Sequence, residues 1–193
     1  VTLCPPSVLA ALHPATPGRN VFSLPVIPTD SRIATLFPTF AQDVEWIGHF
    51  NAAYNNPYVG HYQFYVGQAK FDDFTTLEYG QGYQLYCTNP NGLTVQITGK
   101  LPPTPYRLTL LPEWHLLPAI AVDGPQPVDW LLQGVNYDQI KRWNPTTQQL
   151  EQPTQILPGE SYFVHIVSTS LFTPPPPRDQ TTTFVYDGDG GRV

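Results

Sequence analysis

A chain of 193 residues has room for one large domain or two small ones, each near the lower end of what can hold its own core. Hydrophobic residues make up 41% of it, but Lys and Arg number only 9 against 15 Asp and Glu. That leaves too little cationic surface to neutralise phosphates, so nucleic acid is excluded as an expected partner. With a formal charge of -6 and charged residues at 12%, solubility must come largely from Thr, Gln, Asn and Tyr, the composition of extracellular β proteins. No run approaches the roughly 18 apolar residues of a membrane helix, so membrane insertion is not expected. Met is absent even at position 1, which reads as processing or as excision from a longer chain.

Taken in chain order, residues 1–17 read as an N-terminal extended segment containing Cys4. Residues 18–101 form a first β-rich module. It opens on Asn20 to Pro25 (NVFSLP), an apolar run that proline must end or place at a sheet edge. Asp30-Ser31 then caps a short helix with Ile33, Leu36 and Phe37 on one face, followed by a strand at Val44-Glu45-Trp46-Ile47. Tyr62 to Val66 alternates loosely. Leu77-Glu78-Tyr79-Gly80-Gln81-Gly82-Tyr83 places a Gly turn before a strand that starts at a Tyr. Leu93, Val95 and Ile97 then alternate with Thr94, Gln96 and Thr98 as a one-sided strand does.

The prolines of 102–105 read as a stiff linker, and residues 106–172 as a second module built like the first. Tyr106, Leu108 and Leu110 alternate; Trp114 to Pro118 (WHLLP) ends in Leu-Pro and is set against Leu24-Pro25. Pro127 starts a helix carrying Val128, Leu131 and Leu132, with Gly134 as its stop. Tyr137 to Asn144 is an aromatic-rich strand. Leu157-Pro158-Gly159-Glu160-Ser161-Tyr162 repeats the Gly turn, so Gly159 aligns with Gly80, each expected at positive φ. Tyr162 to Val167, apolar on nearly both faces, reads as a central strand. A polyproline linker, 173–178, leads to a tail, 179–193, where the strand Thr181, Thr182, Thr183, Phe184, Val185 and Tyr186 meets a Gly-rich turn and has no return strand. The expected fold is therefore mainly β: two similar small β-rich modules, sandwich or barrel-like with one short helix each, plus a C-terminal extended strand.

The tail residues Tyr186, Asp187, Gly188, Gly190, Gly191 and Arg192 resemble the start of a YD repeat of Rhs-type proteins. The resemblance implies a parent that continues as a large, secreted or surface-associated β shell. The start at residues 20 to 25 and the close at 77 to 83 make the modules similar to small β-rich modules of bacterial surface proteins. The second copy departs from that pattern at His115 and at Glu160-Ser161, which puts a shared ligand in doubt.

Catalytic constellations are hard to find. His13, His49, His61, His115 and His165 never reach the i, i+4 spacing of a helical zinc pair, and no Gly-X-Ser-X-Gly elbow exists. Asp72-Asp73 and the Asp43, Glu45 pair read as solvated loops more readily than as a glycosidase pair. Asp187 and Asp189 offer the opening of a calcium loop but lack its distal Glu, leaving a plain turn as the competing reading. Cys4 and Cys87 are either one disulfide or two small buried residues. Trp46, Trp114, Trp130 and Trp143 fall inside the apolar pattern and are expected in the core, whereas Tyr54, Tyr58 and Tyr62 flank an Asn-rich loop and are candidates for exposed ligand contacts.

These residues favour a non-enzyme without a cofactor: a structural or adhesive module pair of a secreted, cell-surface protein. One alternative is a subunit of an extracellular filament in which strand 181–186 completes a neighbour's sheet. Another is a carbohydrate-binding module. Expected partners are further copies of the chain, neighbouring β modules of the same parent, and glycans.

Overall fold

A computed structural model describes residues 8–11, 15–50, 62–100, 107–119, 125–157 and 159–173. In chain order its elements are β1 (Val8–Ala11), β2 (Gly18–Ser23), β3 (Ile27–Pro28), α1 (Ile33–Leu36), α2 (Phe40–Asp43), β4 (Val44–Phe50), β5 (Tyr62–Tyr65), β6 (Gly82–Cys87), β7 (Gln96–Lys100), β8 (Leu108–Leu110), β9 (Glu113–Pro118), α3 (Val128–Leu131), β10 (Tyr137–Asn144), β11 (Gln149–Glu151), β12 (Ser161–Ile166) and β13 (Ser170–Phe172). The chain is mainly β. A four-stranded antiparallel sheet in each half, ordered β2-β6-β4-β5 and β9-β12-β10-β11, is covered by a smaller one, β1-β7-β3 or β8-β13, and neither closes into a barrel among the described residues.

Alternation builds each core. On β6, Tyr83, Leu85 and Cys87 point inward with Phe22 and Ile47, and meet Val95 and Ile97 from the covering layer. On β12, Tyr162, Val164 and Ile166 do the same with Leu117 and Ile140, against Leu110 and Phe172. The N-terminal segment joins the first half: β1 pairs with β7, and Ala15 bridges Leu93 inside the core. Two single-turn helices stand in this half where one was expected, and Asp30 does not cap α1. Its carboxylate instead takes the Arg32 backbone N–H at 3.0 Å and grips the Arg32 guanidinium. The linkers 102–105 and 174–178 and the tail lie outside the described residues.

Pairing registers set the correspondence between the halves. Phe22 faces Tyr83 and Leu117 faces Tyr162. Leu117-Pro118 therefore occupy the places of Phe22-Ser23, and the alignment of the two Leu-Pro pairs is two residues out. Proline ends an edge strand wherever its missing donor does least harm, so Leu-Pro fixes a strand end but no register. The Gly turns do align: Gly80 and Gly159 sit at φ 87° and 74°, within the left-handed region that glycine enters freely. Beyond each, the Tyr hydroxyl accepts a backbone N–H five residues back, Glu78 to Tyr83 and Leu157 to Tyr162, both at 2.7 Å. Both long strands carry a bulge at the same step, between Val44 and Trp46 and between Tyr137 and Gln139.

A test follows from the tyrosines. Tyr162→Phe strands the Leu157 N–H without its acceptor, and Tyr83→Phe does the same to Glu78. Each variant should unfold about 1–2 kcal/mol more easily in urea, and Tyr162→Phe should lose more because its hydroxyl donates to a carboxylate, Glu160 Oε2 at 3.0 Å, where that of Tyr83 donates to Glu78 O at 3.5 Å.

The halves meet along the edge strands β2 and β9, each lying against the other half's second strand. Ser23 N–H donates to Gly159 O at 3.2 Å, Ser23 Oγ to Glu160 O at 3.3 Å and Ser161 Oγ to Phe22 O at 2.9 Å. Two edges that would otherwise expose unpaired backbone thereby shield one another. The position matching Ser161 in the first half is Gly82, where an added Cβ would lie 2.5 Å from Leu116 O. The departure at Ser161 follows from what the matched positions touch across the junction, Phe22 O for the Ser161 hydroxyl and Leu116 O for Gly82.

Candidate functional site

The faces turned away from the two cores carry the aromatic residues. On the first sheet Trp46 lies between Tyr86 and Phe64, with ring centroids 6.2 and 5.6 Å away, and Phe64 continues to Tyr62 and Phe50. Tyr62, Phe64 and Tyr86 are exposed. This row follows from strand period: Trp46, Gly48 and Phe50 share one face of β4, opposite Tyr86, Gln84 and Phe64 in register. In the second sheet Phe163, Lys141 and Trp143 take the matching face, and Trp114 packs on His165 at 5.2 Å.

Arg19, on the edge strand β2, joins the two faces. Its guanidinium carbon stands 5.6 Å from the Trp46 ring and 5.3 Å from the Trp143 ring, a cation held between two π faces. Its backbone is gripped as well. Arg19 O accepts Trp143 Nε1 at 2.7 Å and Gln148 Nε2 at 3.0 Å, while Arg19 N–H donates to Gln148 Oε1 at 2.8 Å. Gln148 reaches this pose from a left-handed backbone, φ 55°, unusual for a residue with a side chain.

Between these walls lie two adjoining hollows of about 380 and 440 Å³, sharing Arg19, Tyr62 and Gln84. The 440 Å³ hollow is walled by Trp46 and Phe64, and an added Cβ on Gly48 would come within 3.1 Å of the Phe64 ring. The other reaches Trp114, Lys141, Trp143 and Phe163 in the second half. Volumes of this order suit a small ligand held by aromatic walls and a few placed polar groups.

The sequence-derived candidates fall as follows. Tyr62 lies in both hollows; Tyr54 and Tyr58 are outside the described residues, as are Cys4, His13, His61, Asp187, Asp189 and the strand Thr181, Thr183, Phe184, Val185, Tyr186. Cys87 is buried with a free thiol that burial pushes up in pKa. None of the four Trp is fully buried, a correction to the expected core role: only Trp130 packs against a core, and the others stand on the outer faces. Their size suits a half-covered surface because each indole keeps one polar edge to satisfy.

The paired acids build turns. Asp72 Oδ1 accepts the N–H of Val66 and Gln68, and Asp73 Oδ2 that of Phe64; Asp43 Oδ1 accepts from Asn89. His49 and His115 are both held below the ordinary histidine pKa, chiefly by burial, and each contacts a backbone carbonyl. Among the described residues no group of three His, Cys, Asp or Glu could hold a metal, and no helix is long and apolar enough to cross a membrane.

Arg19, Gly48, Gln84, Lys141 and Phe163 are site residues that sequence reasoning missed. Their signal was present only as strand alternation, which assigns a face but not what that face meets. No known protein family, curated protein or solved structure matches this chain.

Proposed function

We propose that the chain is a non-catalytic, adhesive module pair of a secreted, cell-surface protein, and that it binds carbohydrate in the aromatic cleft shared by the two modules. The observation that carries the reading is Arg19 held between Trp46 and Trp143, which makes one recognition surface out of both sheets. Sugar rings offer C–H faces to aromatic walls and hydroxyl edges to polar groups, the two chemistries this cleft presents. Matching registers, bulges, positive-φ glycines and tyrosine hydrogen bonds support descent of the two modules from one duplicated unit. Composition and the Rhs-like tail support the extracellular setting.

Affinity electrophoresis of the intact chain through gels holding neutral or acidic polysaccharides tests the proposal. Retardation by at least one polysaccharide is expected, and Trp143→Ala, which removes a wall and releases Arg19, should weaken it about tenfold or more. Retardation equal in Trp143→Ala and the parent chain, or none on any polysaccharide, would overturn the reading.

A further inference from the structure

We infer that the cleft takes an acidic oligosaccharide, a chain of sugar rings bearing carboxylates, with Gln84 as its anchoring hydrogen-bonding group and Lys141 as the group that selects the acid. The inference rests on the carbohydrate reading and sharpens it.

Gln84 is the first observation. It is only 4% exposed and borders both hollows, yet among the described residues its carboxamide has no hydrogen-bond partner. A buried amide has donors and an acceptor to satisfy, and native structures rarely leave such a group unmet. Its neighbour in register is Gly48, where an added Cβ would meet the Phe64 ring at 3.1 Å. An amide bordering a hollow walled by Trp46, Phe64 and Tyr62 suits a ligand with hydroxyls on its edge and C–H groups on its faces.

Charge is the second. The chain is acidic overall, yet the cleft holds two of its nine Lys and Arg residues, Arg19 and Lys141, against one carboxylate, Glu113. Arg19 is engaged by two indoles. Lys141 is half-buried and makes no ion pair among the described residues. An ammonium brought partly out of water without a counter-ion favours an anionic partner, and the rings beside it favour one carried on an otherwise apolar-faced molecule.

Titration calorimetry of the intact chain with oligogalacturonate, and with the same oligomer as its neutral methyl ester, tests both residues. The acid should bind about tenfold or more tightly than the ester at low salt. Lys141→Gln should abolish that preference by weakening the acid far more than the ester, and Gln84→Leu should weaken both ligands. Gly48→Ala, a second variant whose methyl presses on the Phe64 wall beside Gln84, should also weaken both and guards against misfolding of Gln84→Leu. Equal affinity for acid and ester, unmoved by Lys141→Gln, would overturn the selection of acids and leave carbohydrate binding standing. Oligogalacturonate that fails to bind while a neutral polysaccharide retards the chain would do the same. Unchanged affinity in both Gln84→Leu and Gly48→Ala would overturn the anchor, and no binding to either oligomer or any polysaccharide would remove the underlying reading as well.

Discussion

Gly82→Ala should destabilise the protein by about 3 kcal/mol, the upper end of what overpacking costs. The new methyl would fall 2.5 Å from Leu116 O and 2.6 Å from Leu116 Cγ. A side chain could rotate away, but the carbonyl belongs to β9, which is paired along its length with β12. Relief therefore requires the two sheets to part, and that breaks the bonds joining Ser23 to Gly159 and Glu160 and Ser161 to Phe22. Separation would also free Trp143 from Arg19 O. Chemical unfolding followed by far-ultraviolet dichroism should show the loss of stability, and near-ultraviolet dichroism a changed tryptophan signal even where the sheets persist. An unfolding midpoint and tryptophan spectrum like those of the parent chain would mean that the halves do not dock along β2 and β9.

Arg142→Met should cost a similar amount, about 3 kcal/mol, through a different mechanism. Arg142 donates through Nε and Nη2 to both oxygens of Glu160, at 2.8 and 2.7 Å, and through Nη1 to Glu151 at 2.8 Å. The Glu160 side chain is 3% exposed, so removing the guanidinium abandons a carboxylate in the interior. Replacing both partners, as Arg142→Met with Glu160→Leu, should recover much of the loss, because the penalty belongs to a buried carboxylate that has lost its guanidinium and not to the absence of the pair. A double variant no more stable than Arg142→Met would argue against it. Glu151 adds a pH signature. Asn144 and then Arg142 hold its carboxyl below the ordinary glutamate value of 4.5. A lowered folded-state pKa gives stability that is complete above the unfolded value and fades as pH falls through the folded one. Thermal midpoints should therefore drop on acidification below about 4.5, and less steeply in Arg142→Met.

The position equivalent to Arg142 in the first half is His49, which pairs with Tyr83 as Arg142 pairs with Tyr162. There the ring packs on Tyr83 and Phe74, and burial keeps it below its ordinary pKa. The halves thus share a backbone plan and fill it with different chemistry, an ion network in one and stacked rings in the other.

Much of this was legible beforehand because strand physics is local. Alternation at Leu93, Val95 and Ile97, the aromatic run Tyr137 to Asn144, and the Gly turns at Gly80 and Gly159 depend on residues a few positions apart; the run and the turns lie where expected, while the alternating strand begins only at Gln96, with Leu93 held by a single bridge to Ala15. Alternation also fixes inner from outer face in the structure, where Tyr83, Leu85 and Cys87 share the core side of β6 and Gln84 and Tyr86 the other. The local pattern could not say what an outer face meets. Trp46, Trp114 and Trp143 read as core because indoles are usually buried, and the docking of a second sheet gave them a half-covered role instead. Leu-Pro proved ambiguous by two residues, since a strand's end is set locally but its register by its partner. Gly82, Gln84, Arg19 and Lys141 acquire meaning from residues that only tertiary contact brings near, Leu116 at the junction and Trp143 across the cleft. The sequence by itself determined the longer strands of each half and much of what they bury, because hydrophobic period is written in consecutive residues, but not the short strands β1, β3, β11 and β13. The junction, the cleft and the place of Gln84 within it were decided by tertiary structure, because contact between sheets depends on packing at a distance.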